Sequence, residues 1–322
     1  MAVELLVVAL GLLILLLAGD ALVRGAVNLS LRMGIPALIV SLTIVAFGTS
    51  APELLISVKA VIDNAPGIAL GNVVGSNTAN VLLVLGIPAI ISGLHMTRVE
   101  TRRTYVFMLV ASALGIGACF LGPITWVHGL VLLAALGLML TDSFFVARAH
   151  RRALWAEEEA QGEELEQIEG VDPALAGWKI GLFLVVGLVG LPLGADILVD
   201  SAVSIARQLG VSETVIGLTL IAVGTSLPEL ATTVMAAIRR QADVAMGNVI
   251  GSNMFNLLAI LGIASFVGDM QVPPEMLRFD LWVMLAASLL LAPFVCLGWN
   301  MTRIWGIALT GLYAAYVVSV LI

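Results

Sequence analysis

Two glutamates sit in stretches of chain that are otherwise apolar enough to lie in lipid. Glu53 ends the segment GTSAPE, from Gly48 to Glu53, and Glu229 ends GTSLPE, from Gly224 to Glu229. Each is followed by a second polar segment: GNVVGSNTAN from Gly71 to Asn80, and GNVIGSNMFN from Gly247 to Asn256. Thr49, Ser50 and Glu53 share one helical face by their three- and four-residue spacing, as do Thr225, Ser226 and Glu229. Asn72, Ser76 and Asn80 recur every four residues, and Asn248, Ser252 and Asn256 repeat that stripe. The pooled donors are carboxylates, hydroxyls, amides and backbone carbonyls, with no histidine or thiolate among them. Such hard oxygen sets suit calcium, sodium or magnesium and disfavour zinc or copper. Two carboxylates neutralise one Ca2+, and Na+ ions would relieve the same buried charge. A site that must hold some cation, but not every cation at once, is the physical basis of exchange.

The segments must also break their helices. Gly48 lowers helix stability, and Pro52 has no N–H for the carbonyl four residues back and clashes with it. A kink or unwound turn is expected there, with the carbonyls of Ala46 to Thr49 losing partners and turning inward. Such carbonyls are tolerated in a membrane only where they line a cavity or meet a ligand. Ala222 to Thr225 and Pro228 repeat the arrangement. The glycine pairs Gly71/Gly75 and Gly247/Gly251 are expected to let neighbouring helices approach closely.

The chain that carries these segments has 322 residues, 60% hydrophobic and 11% charged, with a mean hydropathy of +1.09. Soluble domains carry about 25% charged residues, so the sequence reads as an all-α membrane protein. Ten transmembrane helices are expected near 3–27, 35–63, 67–92, 103–121, 124–146, 177–206, 211–238, 243–267, 279–297 and 303–321. The first is taken as a helix rather than a cleaved leader, since it has no basic start and carries Glu4. With the N-terminus outside, twelve Lys/Arg fall on the inner side and only Arg207 and Arg278 on the outer. That bias predicts both termini outside. Residues 18–87 align onto 194–263 at a constant offset of 176 with 30 of 70 positions identical. Each half has five helices, an odd number, so the second must enter from the opposite side. Two inverted five-helix repeats, 1–146 and 177–322, are therefore expected, with the second and seventh helices broken and a cytoplasmic polar linker at 147–176. Eight of the 22 acidic residues lie in that linker, between Glu157 and Asp172. The net charge of −7 is thus no footprint for nucleic acid. The linker reads as a solvated connection, because its acidic spacing lacks the pattern of a calcium-binding hand loop.

Other polar residues have plainer readings. Cys119 and Cys296 lie in apolar runs and are read as small hydrophobes. Thr43 and Thr219 are expected to back-bond to their own helices. Asn72 and Asn248 serve equally as ligands or as glue between helices. Asp20, one turn before Arg24, is placed near the cytoplasmic side, and Asp196, followed by Asp200, near the outer side; both are candidates for the ion path.

The paired GTS-x-PE and GN-x-x-GSN motifs resemble those of the cation/calcium exchanger superfamily, and within it the prokaryotic sodium/calcium exchangers, across essentially the whole chain. The resemblance implies ten helices, with the second, third, seventh and eighth forming an ion core past which the first and sixth slide. It implies that Glu53 and Glu229 are central carboxylates shared by Ca2+ and Na+, and that Thr49 and Thr225 bind calcium through their carbonyls. Ala46, Ser50 and Ser76 would form one flanking sodium site, and Ala222, Ser226 and Ser252 the other. Asn80 and Asn256 would face the glutamates. Some relatives have aspartate at position 256. Proton-coupled relatives typically carry a glutamate in the GN motif, where this chain has Gly75 and Gly251, and this favours sodium coupling.

Function classes outside transport fit poorly. A serine nucleophile at Ser50 or Ser226 would need a base within hydrogen-bond reach, and neither motif holds a histidine or lysine. A passive channel could use the same oxygens, but duplicated broken helices favour an exchanger. The expectation is a Na+/Ca2+ antiporter of the cytoplasmic membrane that exports Ca2+, with K+-dependent Na+/Ca2+ exchange or H+-coupled antiport as the alternatives. It needs no cofactor and no enzyme chemistry, and its partners are Ca2+, Na+ and the lipid bilayer, with no nucleic acid and no obligate protein partner.

Overall fold

The computed structural model describes residues 2–94, 101–160, 175–210 and 222–321. Helices α1 (Ala2–Met33), α2 (Ala37–Thr49), α3 (Ala51–Ile62), α4 (Pro66–Ser92), α5 (Thr101–Phe120) and α6 (Trp126–Ala160) build the first half. Helices α7 (Gly177–Gln208), α8 (Leu227–Ile238), α9 (Ala242–Val267), α10 (Asp280–Cys296) and α11 (Arg303–Leu321) build the second. Among the described residues the only β pairing is two isolated bridges, Leu94 with Met301 and Ile124 with Met270. Each ties a loop of one half to a loop of the other through two backbone hydrogen bonds of 2.9–3.0 Å.

Among the described residues, seven helices are long and apolar enough to cross a membrane, and the bent pair α2–α3 makes an eighth. The expected spans at 211–238 and 279–297 are represented by α8 and α10, which are shorter. Residues 211–221 of the former, Thr219 included, lie outside the described residues. The helix expected to end at 146 continues as α6 to Ala160. The reason is local: Ala147 to Ala160 contains no proline or glycine, and its alanines, arginines and glutamates are good helix formers. Most of the acidic stretch, at 161–174, is outside the described residues.

The local conformations recur at the 176-residue offset. Ser50 has φ −85°, ψ 5° and Ser226 has φ −90°, ψ 6°. Gly34 and Gly210 both take positive φ (63° and 79°) where α1 and α7 stop. Asn64 and Arg240 also share positive φ (58° and 55°), each ending its helix with the next residue's N–H reaching back five residues. Even wide helical turns recur, at Asn80–Val84 in α4 and Phe255–Ile260 in α9.

Burial sorts the helices into a core and a rim. Helices α4 and α9 are the most buried of the candidate spans, whereas α1, α6, α7 and α11 expose much of their apolar surface. Leu6, Leu13 and Leu17 of α1 and Val185, Val189 and Leu193 of α7 are exposed, as lipid-facing residues are. Helices α1 and α7 lie along one another at a small-residue seam. A Cβ at Gly11, Gly187 or Gly194 would come within 2.5–2.9 Å of the other helix, the close approach that small residues permit.

Candidate functional site

The breaks expected from Gly48–Pro52 and Gly224–Pro228 are present. Helices α2 and α3 meet at Ser50 with a bend of 43°. The short turn Ala222–Gly224 gives way at Thr225 and Ser226 to α8. Pro52 and Pro228 fall in the first turn of the new helix, where a missing N–H costs little. The glutamates are the third residues of α3 and α8. A negative side chain there meets the positive end of the helix dipole. The carbonyls of the break are less free than the sequence suggests. Ala46 O accepts the Ser50 N–H at 3.0 Å and the Thr49 hydroxyl at 3.3 Å, because one tight turn closes before the chain bends.

Glu53 is 1% exposed and Glu229 0%. Ser50 Oγ donates to Glu229 Oε1 across the two halves at 3.1 Å, and Ser252 Oγ donates to the same oxygen at 3.5 Å. Thr49 Oγ1 donates to Asn248 Oδ1 at 3.3 Å. Thus Thr49, Ser50, Glu229, Ser252 and Asn248 form one buried cluster. Thr225 lies at the opposite break and lines, with Ser76 and Asn72, a cavity of about 410 Å³ that continues past Ile56 to Asp280 and Tyr316. Tyr316 donates to Asp280 there at 3.0 Å. Ala46 and Ala222 begin the helical turns that lead into the two breaks.

Asn72 and Asn248 are helix–helix glue on their nitrogen side. Asn72 Nδ2 donates to Glu53 O (3.2 Å) and Ser57 Oγ (3.0 Å); Asn248 Nδ2 donates to Glu229 O (3.3 Å) and Thr233 Oγ1 (3.1 Å). The first bond of each asparagine hangs a glutamate's own backbone carbonyl from the adjoining helix, and the second ties the same helix one turn on. Ser57 and Thr233 were not singled out from the sequence. Their signal is their position one helical turn after each glutamate. Thr43 back-bonds to Ile39 O at 2.8 Å as expected.

The decisive feature is which buried atoms go without a partner. Among the described residues, Glu53 Oε2, Glu229 Oε2, Asn80 Oδ1, Asn256 Oδ1 and Ser226 Oγ are buried side-chain oxygens with no hydrogen bond. The one other such oxygen, Thr310 Oγ1, lies beside Gly86 in a different helix pair. An unmade bond at a buried polar atom costs about 1–3 kcal/mol, so five such acceptors on the duplicated motifs imply something that fills them. All are oxygens and two are carboxylate oxygens, which is a hard-cation donor set. Among the described residues, no three His, Cys, Asp or Glu gather into a metal cluster.

The glycine pairs behave unequally. A Cβ at Gly247 or Gly251 would lie 2.6 or 2.5 Å from the carbonyls of Leu38 and Leu42, so α9 rests directly on α2. At Gly71 and Gly75 a Cβ would meet no described atom within 4 Å, because these glycines border the cavity instead of a helix seam. Gly251→Ala is therefore expected to lower the melting temperature of the detergent-solubilised protein by several degrees, since the added methyl pushes α2 and its Thr49–Ser50 break away from Asn248 and Ser252. An unchanged melting temperature would contradict this packing.

Comparison with known proteins agrees with the geometry. The sequence profile of the family described as sodium/calcium exchanger protein matches residues 3–145 and 179–322. The chain belongs to the sodium/calcium exchanger family. It is 32% identical over 348 residues to the sodium/calcium exchanger MaX1 of Methanosarcina acetivorans, covering 98% of both chains. It is 33% identical over 293 residues to the putative antiporter CaxA of Alkalimonas amylolytica, covering 90% of this chain and 89% of the relative. Its structure superposes on that of the sodium-calcium exchanger NCX_Mj soaked with 2.5 mM Na+ and 10 mM Sr2+, with a TM-score of 0.81, 29% identity and 99% of each chain covered. The protein is thus an integral, multi-pass membrane protein of a transporter family whose members exchange cations for calcium.

Proposed function

We propose that this exchanger moves Ca2+ against Na+ across the cytoplasmic membrane, exporting Ca2+ by alternating access, with ten helices arranged as two inverted repeats. The observation that carries the reading is the set of unpartnered buried oxygens on Glu53, Glu229, Asn80, Asn256 and Ser226. One Ca2+ at these atoms is neutralised by the two carboxylates. When it leaves, the charge must be balanced again, and Na+ ions at Ser50, Ser76, Ser226 and Ser252 do this with the carbonyl of Ala222 and that of Ala46, from which the Thr49 hydroxyl would turn away. Thr49 and Thr225 contribute from the breaks. A further Na+ shared by Glu53 and Glu229, beyond those that balance their charge, makes each cycle move net positive charge, so exchange is electrogenic. Neither partner protein nor cofactor enters this scheme. A Ca2+ jump applied to reconstituted protein on a solid-supported membrane is expected to evoke a current only when Na+ is present on the other side. A current that persists with K+ or a proton gradient in place of Na+ would reassign the coupling ion.

Access from one face only is supported by an asymmetry between the halves. The cavity lined by Ser76 and Thr225 reaches toward Asp280 and Tyr316. Away from it, Asp20 of α1 is bridged to Arg24 (3.0 Å) and to Arg239 at the end of α8. The positions equivalent to Asp20 and Arg239 at the 176-residue offset are Asp196 and Asp63, two acids that cannot form the same bridge. The bridge therefore favours closure at the Asp20 end, which the charge bias of the loops places at the cytoplasm. Arg239→Gln is expected to raise the Ca2+ concentration needed from the open side by about threefold to tenfold, because part of the population no longer presents its site there. An unchanged half-saturating concentration in flux assays would remove the bridge from the account.

A further inference from the structure

The GSN ends of the two motifs contain a second pair of asparagines, Asn77 and Asn253, each adjacent to a serine assigned above to ion binding. Both are buried, at 0% and 1% exposure. Asn80 Nδ2 donates to Asn253 Oδ1 at 3.0 Å, and Asn256 Nδ2 donates to Asn77 Oδ1 at 3.3 Å. The two bonds are equivalent under the 176-residue offset, and each crosses from one half to the other.

The direction of these bonds follows from what lies behind them. Asn253 Nδ2 faces the backbone carbonyl of Asn77 at 3.3 Å and the thioether of Met108 at 3.8 Å. Both groups only accept hydrogen bonds, so the nitrogen of Asn253 must point at them and its oxygen must point at Asn80. Asn80 can meet that oxygen only with its own nitrogen. Asn77 Nδ2 likewise faces the thioether of Met284 at 3.7 Å, which turns its oxygen toward Asn256. The remaining atoms, Asn80 Oδ1 and Asn256 Oδ1, are the ones left buried without partners.

We infer that Asn77 and Asn253 are positioning residues that lock the amides of Asn256 and Asn80 so that each offers its oxygen, and never its N–H donors, to the cation. Without the lock, either amide can turn by half a rotation and aim an N–H group at the ion. In this chain an amide at 256 suits the lock, since a carboxylate there would meet Asn77 Oδ1, another acceptor, until Asn77 turned its nitrogen away from the Met284 thioether. The cage thereby keeps two negative charges, those of Glu53 and Glu229, in balance with one divalent ion.

This inference rests on the ion site proposed above, and its test separates the two. The full chain is reconstituted and Na+-driven Ca2+ uptake is measured for the parent, Asn253→Leu, Asn80→Ala and the double variant. Leucine matches asparagine in shape and removes its polar atoms. Asn253→Leu is expected to raise the half-saturating Ca2+ concentration about tenfold, the effect of losing one hydrogen bond at a buried site, with the maximal rate kept within about threefold. Because Asn253 acts through Asn80, the double variant should match Asn80→Ala alone, whereas distant independent substitutions add. Asn77→Leu, measured alone and in a double variant with Asn256→Ala, should show the same dependence on Asn256 and none on Asn80, and it carries the test if Asn253→Leu does not purify as folded protein. Unchanged half-saturation in Asn253→Leu and Asn77→Leu, or additive effects in both double variants, would overturn the positioning role. A folded parent with no Na+-driven uptake would instead overturn the proposed function.

Discussion

Glu229→Gln is expected to reduce Na+-driven Ca2+ uptake by about 100-fold or more, and Glu53→Gln to do the same, while both variants remain folded and membrane-inserted. Glutamine is nearly isosteric with glutamate, so the Ser50 and Ser252 hydroxyls that donate to Glu229 Oε1 still find an oxygen. The lost feature is charge. Each glutamate supplies half of the negative charge available to a divalent ion, and each has one buried oxygen with no other partner. The substitution also puts an N–H donor where a cation must sit. Removing a buried carboxylate relieves a desolvation cost of several kcal/mol, so the ion-free variants should melt at or above the parental temperature in chelator. Loss of transport with retained or raised stability is the signature of a site residue. Parental uptake in either variant would remove that glutamate from the site, and loss of folding in both would make them structural.

The second large effect is antagonism between the two ions in binding, read without any membrane. A ligand that binds only the folded state stabilises it by about 2.7 kcal/mol at a hundredfold excess over its dissociation constant. At roughly 2–4 °C per kcal/mol for chains of this order of size, saturating Ca2+ should raise the melting temperature of the detergent-solubilised protein by about 5–10 °C. Added Na+ should shift the Ca2+ dependence to higher concentrations instead of adding to the plateau, because both ions use the same oxygens of Glu53 and Glu229. Zn2+ should give little stabilisation, since neither nitrogen nor sulfur ligands accompany the carboxylates. Additive stabilisation by Na+ and Ca2+ would mean separate sites, and would contradict the exchange account even if both ions bound tightly.

The site was more legible in the sequence than its supports. Carboxylates, prolines and amides in apolar runs are expensive in lipid, so Glu53, Glu229 and the breaks at Ser50 and Ser226 stood out as residues and appear in the structure where their spacing put them. The 176-residue offset extended this to torsion angles, down to the matched turns at Asn64 and Arg240. What spacing could not give was contact across the halves. Asn77 and Asn253 lie next to Ser76 and Ser252 on a neighbouring face of α4 and α9, so a stripe of every fourth residue passes them by. Their importance depends on bonds to residues more than 170 positions away. Gly71 and Gly75 have the same spacing as Gly247 and Gly251 but border a cavity instead of a helix, and spacing alone does not state what packs against a residue. The carbonyl of Ala46 is a similar case. A proline states which N–H is missing, not which neighbouring N–H or hydroxyl takes up the slack.

Exchange at one shared site is tested most directly by isotopic Ca2+ uptake into proteoliposomes loaded with Na+ and diluted into Na+-free medium, beside vesicles loaded with K+ and vesicles given only a pH gradient. The account predicts rapid uptake in the Na+-loaded vesicles, background uptake in the other two, and background in all three with Glu53→Gln. Equal uptake whichever ion is inside, or uptake that survives Glu53→Gln, would contradict Na+-coupled exchange through the Glu53–Glu229 site.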